Sequence, residues 1–319
     1  MKGVQAGARA SAYVYGGLIA LCLLLRLFLG EMRFLPLMIF DILLPGILFP
    51  GLLLLMLFAL RRRWRLVLTQ LPVLVGFVWL YGHILLPERL PAIPEGTQIT
   101  VLTYNISLRD RGMDQEAALI REANADVVAL QEVSERAGEY FDAELADLYP
   151  YRAIHGSDSP PGQAVLSRYP IVEDMTWEVE RMHQRVVLDV NEQQVTFYNV
   201  HPVHFNLDRD HVVNFEAQLR EVEDILARTA EETNPMLIVG DFNTTDQSAI
   251  YESFASVYSD SFLEVGSGFG LTFPSNLPLA RLDYIFHTEA FTALDAEVWE
   301  SSGGSDHYPV FARLELAGE

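Results

Sequence analysis

The apolar residues of this 319-residue chain crowd into its first quarter, and that crowding constrains the fold more than any local motif. Stretches 12–29, 34–60 and 66–86 each approach or exceed the roughly 20 apolar residues that a membrane-crossing helix needs. Arg26 interrupts the first near its end, where a long basic side chain can reach the interface. The second contains Asp41 and the prolines Pro36, Pro45 and Pro50, which favour a kink, and the third carries Trp79 and Tyr81, residues suited to an interface. A cleaved signal peptide competes for the first stretch, but two more apolar stretches follow it. The pattern therefore predicts a membrane anchor of three transmembrane helices over 1–86.

Charge divides the chain at the same place. Residues 1–96 hold nine of the 22 Lys and Arg and four of the 43 Asp and Glu, which leaves −26 on residues 97–319. Lys2 and Arg9 precede the first stretch, and Arg61-Arg62-Arg63-Trp64-Arg65 separates the second from the third. The positive-inside rule puts these groups in the cytoplasm, and three spans then carry everything after residue 86 across. The expectation is a multi-pass cell-membrane protein with an extracytoplasmic catalytic domain, 97–319. Pro87, Pro91, Pro94 and Gly96 make 87–96 a short, stiff linker. Nucleic acid is disfavoured as a partner, because affinity for it comes largely from Lys and Arg, and 97–319 contains no lysine. The single cysteine, Cys22, permits no internal disulfide.

Within 97–319 the periodicity alternates between strand and helix. Gln98–Tyr104 ends at Asn105, and Val127–Leu130 ends at Gln131-Glu132. Arg185–Val190 and Val195–Val200 form a hairpin that delivers His201, and Met236–Val239 runs into Gly240-Asp241-Phe242-Asn243. Leu282–His287 carries Asp283, and Ser305-Asp306-His307 precedes Tyr308–Leu316. Helices are expected over 114–124, with Asp114 as N-cap, over 134–148 and over 210–230. Hairpins among the βα units indicate a mixed α/β fold. Polar residues at strand ends can converge on one crevice. Asp241 and Asn243, two apart at an extended end, point the same way, although Asn243 could instead cap a helix starting near Thr245. Together these residues offer carboxylates for a metal, amides for a phosphate and imidazoles for proton transfer.

The motifs Thr103-Tyr104-Asn105-Ile106, Leu130-Gln131-Glu132-Val133, Gly240-Asp241-Phe242-Asn243, Arg281-Leu282-Asp283-Tyr284-Ile285-Phe286 and Ser305-Asp306-His307-Tyr308-Pro309-Val310 resemble, in order, those of the endonuclease/exonuclease/phosphatase (DNase I-like) superfamily. The resemblance covers about 98–316. It implies a four-layer α/β sandwich with two mixed β-sheets and a divalent-metal phosphoesterase. It also implies Glu132 as main metal ligand, with Asn105 and Asp306 in or near the same shell. Asp241 would orient or deprotonate the attacking water, and Asn243 would hold a phosphoryl oxygen. His307 would be the imidazole at the scissile phosphate, oriented by Asp283, and His201 would contact the phosphate or protonate the leaving oxygen. Gly162–Pro170 resembles the family's Gly-x-x-x-x-Ser-Arg-x-Pro segment, and Thr272-Phe273-Pro274 its Thr-Trp-Pro, with Phe in place of Trp. Oxygen donors favour Mg²⁺ or Mn²⁺. The architecture is similar to that of membrane-anchored bacterial phosphatases of this superfamily. The expected substrate is therefore a lipid-linked phosphoester or pyrophosphate, with an anchored nuclease as the alternative.

Overall fold

The computed structural model describes residues 2–29, 35–82, 96–108, 111–204 and 211–317. The linker up to Glu95, the turn with Glu31 and Arg33, residues 83–86 of the third apolar stretch, the side chain of Asp41 and the expected helix start at Asp210 lie outside the described residues. The chain divides into two compact units, an N-terminal one and one that holds Pro87–Asp246 and Ile250–Glu319.

The N-terminal unit contains the helices α1 (Lys2–Leu29), α2 (Leu35–Leu60), α3 (Trp64–Thr69) and α4 (Leu71–Tyr81). Only α1 holds a stretch long and apolar enough to cross a membrane among the described residues, Arg9–Phe28 with mean hydropathy 1.8. This corrects the expectation of three spans. In α2 the apolar segment of described residues runs over Gly46–Leu60 alone, and the third stretch is cut in two at Gln70. The cut has a local cause: Pro72 has no N–H to give and its ring would clash with the carbonyl four residues back, so it sits in the first turn of a new helix. At 11 residues α4 is about 16 Å long, near half the hydrocarbon thickness. Gln70 is fully buried and donates from Nε2 to the Ala12 carbonyl at 2.9 Å, which ties α1 to the break. Gly16 permits the approach: a Cβ there would lie 1.8 Å from the Thr69 carbonyl oxygen.

The second unit runs β1 (Thr97–Asn105), α5 (Met113–Ala123), β2 (Val127–Val133), α6 (Glu135–Glu144), β3 (Tyr151–Asp158), β4 (Pro161–Ser167), β5 (Ile171–Glu178), β6 (Met182–Val190), β7 (Gln193–Val200), α7 (His211–Thr229), β8 (Met236–Asp241), α8 (Ala249–Ala255), β9 (Ser259–Asp260), α9 (Ser261–Val265), β10 (Asp283–His287), β11 (Phe291–Val298) and β12 (Val310–Leu316). The strands form two six-stranded sheets, ordered β11-β12-β1-β2-β4-β3 and β5-β6-β7-β8-β10-β9. Each sheet is mixed, because β1–β2 and β7–β8 are parallel and the other pairs antiparallel. Val101, Ala129, Val165, Phe197, Val239 and Ile285 pack between the sheets. On the outer face of the first sheet, Leu102, Tyr104, Val128 and Leu130 meet Ile120 of α5 and Phe141 of α6. On the outer face of the second, Tyr198, Ile238 and Phe286 meet Val222 and Ile225 of α7 and Phe254 of α8. The result is a helix–sheet–sheet–helix sandwich.

The central strands β1, β2, β7 and β8 are buried on both faces, which is why they read as continuous apolar runs. Both parallel pairs lie at the middle of their sheets, so β1 and β2 end side by side at Asn105 and Gln131, while β7 and β8 end at Val200 and Gly240. The strand ends that carry the chemistry are thus brought to one edge of the sandwich.

Candidate active site

Gly240 lets β8 deliver its carboxylate close beside β7. Its φ is +144°, and a Cβ would sit 1.9 Å from the Val200 carbonyl oxygen. One residue on, Asp241 is 1% exposed. Its Oδ2 accepts from Asn105 Nδ2 at 2.9 Å and its Oδ1 from the Asn243 backbone N–H at 2.9 Å. Around the same Oδ2, His201 Nε2 lies at 3.6 Å and His307 Nε2 at 3.7 Å. Burial pushes the Asp241 carboxyl up to about 7; the Asp283 carboxylate adds to the rise, and His307 with the two hydrogen bonds opposes it.

Glu132 reaches this cluster through a bulge. The pairing of β2 with β4 shifts between Gln131 and Val133, and Glu132 adopts a φ of +57°. A non-glycine residue in the left-handed region is strained, and bulges of this kind re-aim a side chain beside a site. The Glu132 side chain is 25% exposed, and its Oε1 lies 3.4 Å from His201 Nε2. His201 is 1% exposed and, among the described residues, its Nδ1 has no hydrogen-bond partner. Burial first, and then the positive side chain of Arg181, drive its imidazole well below the usual value, despite the two carboxylates near Nε2. His201 is therefore neutral near pH 7.

Across the second sheet, β10 pairs Asp283 directly with Asp241. Asp283 is fully buried and accepts at Oδ2 from His307 Nδ1 at 2.9 Å, and among the described residues its Oδ1 has no hydrogen-bond partner. Burial pulls the His307 imidazole down, but the Asp283 and Asp241 carboxylates outweigh it and carry the group up to about 10. The Phe273 ring covers His307, centroids 4.8 Å apart, in the place where the motif comparison expects Trp. Ligand atoms of Asp241, Asp283 and His307 lie within 4.8 Å of one another, close enough by distance to hold an ion. With His307 Nδ1 committed to Asp283, the three can also hold a proton between them, and Nε2 is the ring nitrogen left facing Asp241.

Asp306 joins through a serine latch that the sequence motifs did not single out. Ser107 Oγ donates to Asp306 Oδ1, and Ser107 N donates to Asn105 Oδ1 at 2.8 Å. Ser305 Oγ donates to the Asn105 carbonyl at 2.7 Å and accepts from His307 N at 3.0 Å. The latch thus fastens the 305–307 turn to the end of β1. Asn243 has a φ of +51° and uses one N–H of its carboxamide on the Pro202 carbonyl at 2.9 Å, which leaves a second for a ligand. It caps no helix at Thr245; the next helix begins at Ala249.

Asn105, Glu132, His201, Asp241, Asp283 and His307 are therefore linked by direct contacts, with Asn243 joined at Asp241 through its backbone N–H and Asp306 joined to Asn105 through Ser107. The Glu132 and Asp306 carboxylates and the Asn105 carboxamide are oxygen donors that fit a hard divalent cation, and the strained Glu132 backbone aims one of them into the site. A model of the Endonuclease/Exonuclease/phosphatase family matches residues 102–307, about two thirds of the chain. This chain belongs to the endonuclease/exonuclease/phosphatase family. Members of this family are phosphoester hydrolases that use a divalent metal, and the chain is an enzyme of that kind.

Solved structures agree on the fold. A Bacteroides vulgatus endonuclease/exonuclease/phosphatase superposes with a TM-score of 0.56 at 19% identity, covering 69% of this chain and 99% of that one. A humanised D. rerio TDP2 gives 0.58 at 15% identity, covering 69% and 99%. A mannosyl-6-phosphatase from Bacteroides thetaiotaomicron gives 0.54 at 18% identity, covering 68% and 100%. No curated protein matches the sequence.

Proposed function

We propose that this family member is a membrane-anchored, Mg²⁺- or Mn²⁺-dependent phosphohydrolase that cleaves a phosphoester or pyrophosphate on a lipid-linked substrate. The observation that carries the lipid reading is the pairing of an apolar N-terminal helix with a lysine-free catalytic region of charge −26. Leu18, Leu27 and Phe28 of that helix are 55%, 61% and 78% exposed, an apolar surface that water would not tolerate and a bilayer would cover. A linker of about ten residues keeps the catalytic domain within roughly 30 Å of its anchor, so a lipid head group is presented at high effective concentration. A long polyanion would be repelled by the acidic domain and gain nothing from the anchor.

In this reading Asp241, held near 7, takes the proton of the attacking water at neutral pH. The His307 imidazolium, oriented by Asp283, donates to a phosphoryl oxygen, and the second N–H of Asn243 binds another. Neutral His201 contacts the phosphate from Nε2. A divalent cation on Glu132, Asp306 and Asn105 would neutralise the charge that develops on the phosphoryl oxygens. The test compares kcat/KM for lipid-linked phosphates and pyrophosphates with that for plasmid and single-stranded DNA, using detergent-solubilised protein and Asp241→Asn as background. The lipid-linked class should be hydrolysed faster. Faster cleavage of DNA at moderate salt would replace this reading with that of an anchored nuclease, on the same catalytic residues.

A further inference from the structure

Behind His201 lies a second group of buried polar side chains that none of the roles above uses. The His201 backbone N–H donates to His183 Nδ1 at 3.2 Å, and His183 Nε2 lies 3.3 Å from Glu221 Oε1. Both His183, on β6, and Glu221, on α7, are fully buried. Because Nδ1 accepts, the His183 proton sits on Nε2 and faces the carboxylate. Glu221 also accepts from three backbone N–H groups: Glu180 at 3.2 Å and Arg181 at 2.6 Å on Oε1, and Val203 at 2.6 Å on Oε2. These N–H groups belong to the β5–β6 turn and to the segment that follows His201. Against the upward push of burial, His183 and the backbone donors hold the Glu221 carboxyl below the ordinary glutamate value, so it is ionised. One turn earlier on the same helix face, Gln218 Nε2 donates to the Asn243 carbonyl at 3.0 Å.

A fully buried carboxylate is expensive unless its lone pairs are satisfied. Here the satisfaction comes from backbone N–H groups of the β5–β6 turn and of the segment that follows His201, with the ring that holds the His201 backbone 3.3 Å away. We propose that Glu221 and His183 are positioning residues of the hydrolase, a relay from α7 that fixes where the His201 imidazole stands against Glu132 and Asp241. Among the described residues His201 Nδ1 has no hydrogen-bond partner, so the contact of its backbone with His183 bears directly on its placement.

The test uses the full-length protein in detergent with Mn²⁺ and bis(p-nitrophenyl) phosphate. In E221Q the amide NH₂ must oppose at least one backbone donor that the carboxylate accepted. H183L offers His201 N–H no acceptor, whereas H183N places a carboxamide oxygen near the position of Nδ1. Misplacing a reacting group by a fraction of an ångström to 1 Å costs about 10- to 100-fold. The expected result is a loss of that size in kcat for E221Q and H183L, with KM within about twofold of the parent and H183N within about threefold in kcat. Melting curves identify any variant that does not fold; should H183L fail, the contrast between E221Q and H183N decides. Parental kcat in E221Q, a loss carried by KM alone, or an H183N as impaired as E221Q would overturn the proposal.

Discussion

Replacing Asp283 by Asn tests the proton-holding relay with almost no change in shape. Asp283 accepts from His307 Nδ1 at 2.9 Å in a fully buried setting, and His307 Nε2 faces Asp241 3.7 Å away. The imidazole is carried from 6.5 to about 10, which corresponds to about 5 kcal/mol in favour of the charged form. Asp283 is the nearer of the two main carboxylates and the only one hydrogen-bonded to the ring. If it supplies half, its loss withdraws about 2–3 kcal/mol of support from the charged imidazole, and the loss of the bond that orients the ring should lower the rate by roughly 50- to 100-fold. The sign in pH follows: His307 stays protonated below its folded value and loses the proton as pH rises through it. The alkaline limb of the kcat profile should therefore move down by about two pH units in Asp283→Asn. The stability that this pair gives the fold is likewise complete below about 6.5 and lost as pH rises through about 10. Steady-state kinetics between pH 6 and 10 on bis(p-nitrophenyl) phosphate measures both effects. A variant with kcat within about fivefold of the parent and an unmoved alkaline limb would refute the relay.

Glu116 on α5 is buried, its Oε2 has no hydrogen-bond partner among the described residues, and burial pushes its carboxyl up to about 8. An acid raised in the folded state contributes no penalty below about 4.5, a growing one between about 4.5 and 8 and a constant one above, so Glu116→Gln should gain melting temperature over the parent by a few degrees at pH 8 and nothing at pH 4.5. Equal gains at both pH values would show that the carboxyl is not held protonated. For topology, a reporter fused after Gly96 should behave as extracytoplasmic and one fused to the N-terminus as cytoplasmic. Reversed labelling would remove the basis for a lipid substrate on the far side.

The site was legible in the sequence where it sits on strands buried on both faces. Met236–Val239 and Val127–Leu130 read as apolar runs that stop at polar residues, and the fold puts both stops at one edge. What stayed hidden has physical reasons. The edge strands β3 and β5 carry partly exposed sequences such as Ile171–Glu178, with Glu173 and Asp174 inside, so no apolar period marks them. The first turn of α5 is capped by Gly112 in a left-handed conformation, while Asp114, expected at that cap, accepts from Tyr140 Oη at 2.7 Å instead. The bulge at Glu132 depends on pairing with a strand 30 residues away, and the latch of Ser107 to Asp306 spans 199 positions, beyond any local signal. In the N-terminal unit, composition announced spans by length alone and gave too little weight to Pro72, which starts a new helix.

The central claim is hydrolysis of a phosphoester at a site whose divalent cation is held by Glu132. It is tested most directly by stripping the purified protein with EDTA and titrating Mg²⁺ or Mn²⁺ back while following bis(p-nitrophenyl) phosphate, in parallel with Glu132→Gln and Asp241→Asn proteins shown to be folded. The parent should lose turnover in EDTA and recover it saturably, whereas both variants should stay at least about a hundredfold below it at the same metal concentration. Full activity in excess EDTA, or a Glu132→Gln protein that recovers along the parental titration curve, would contradict the account.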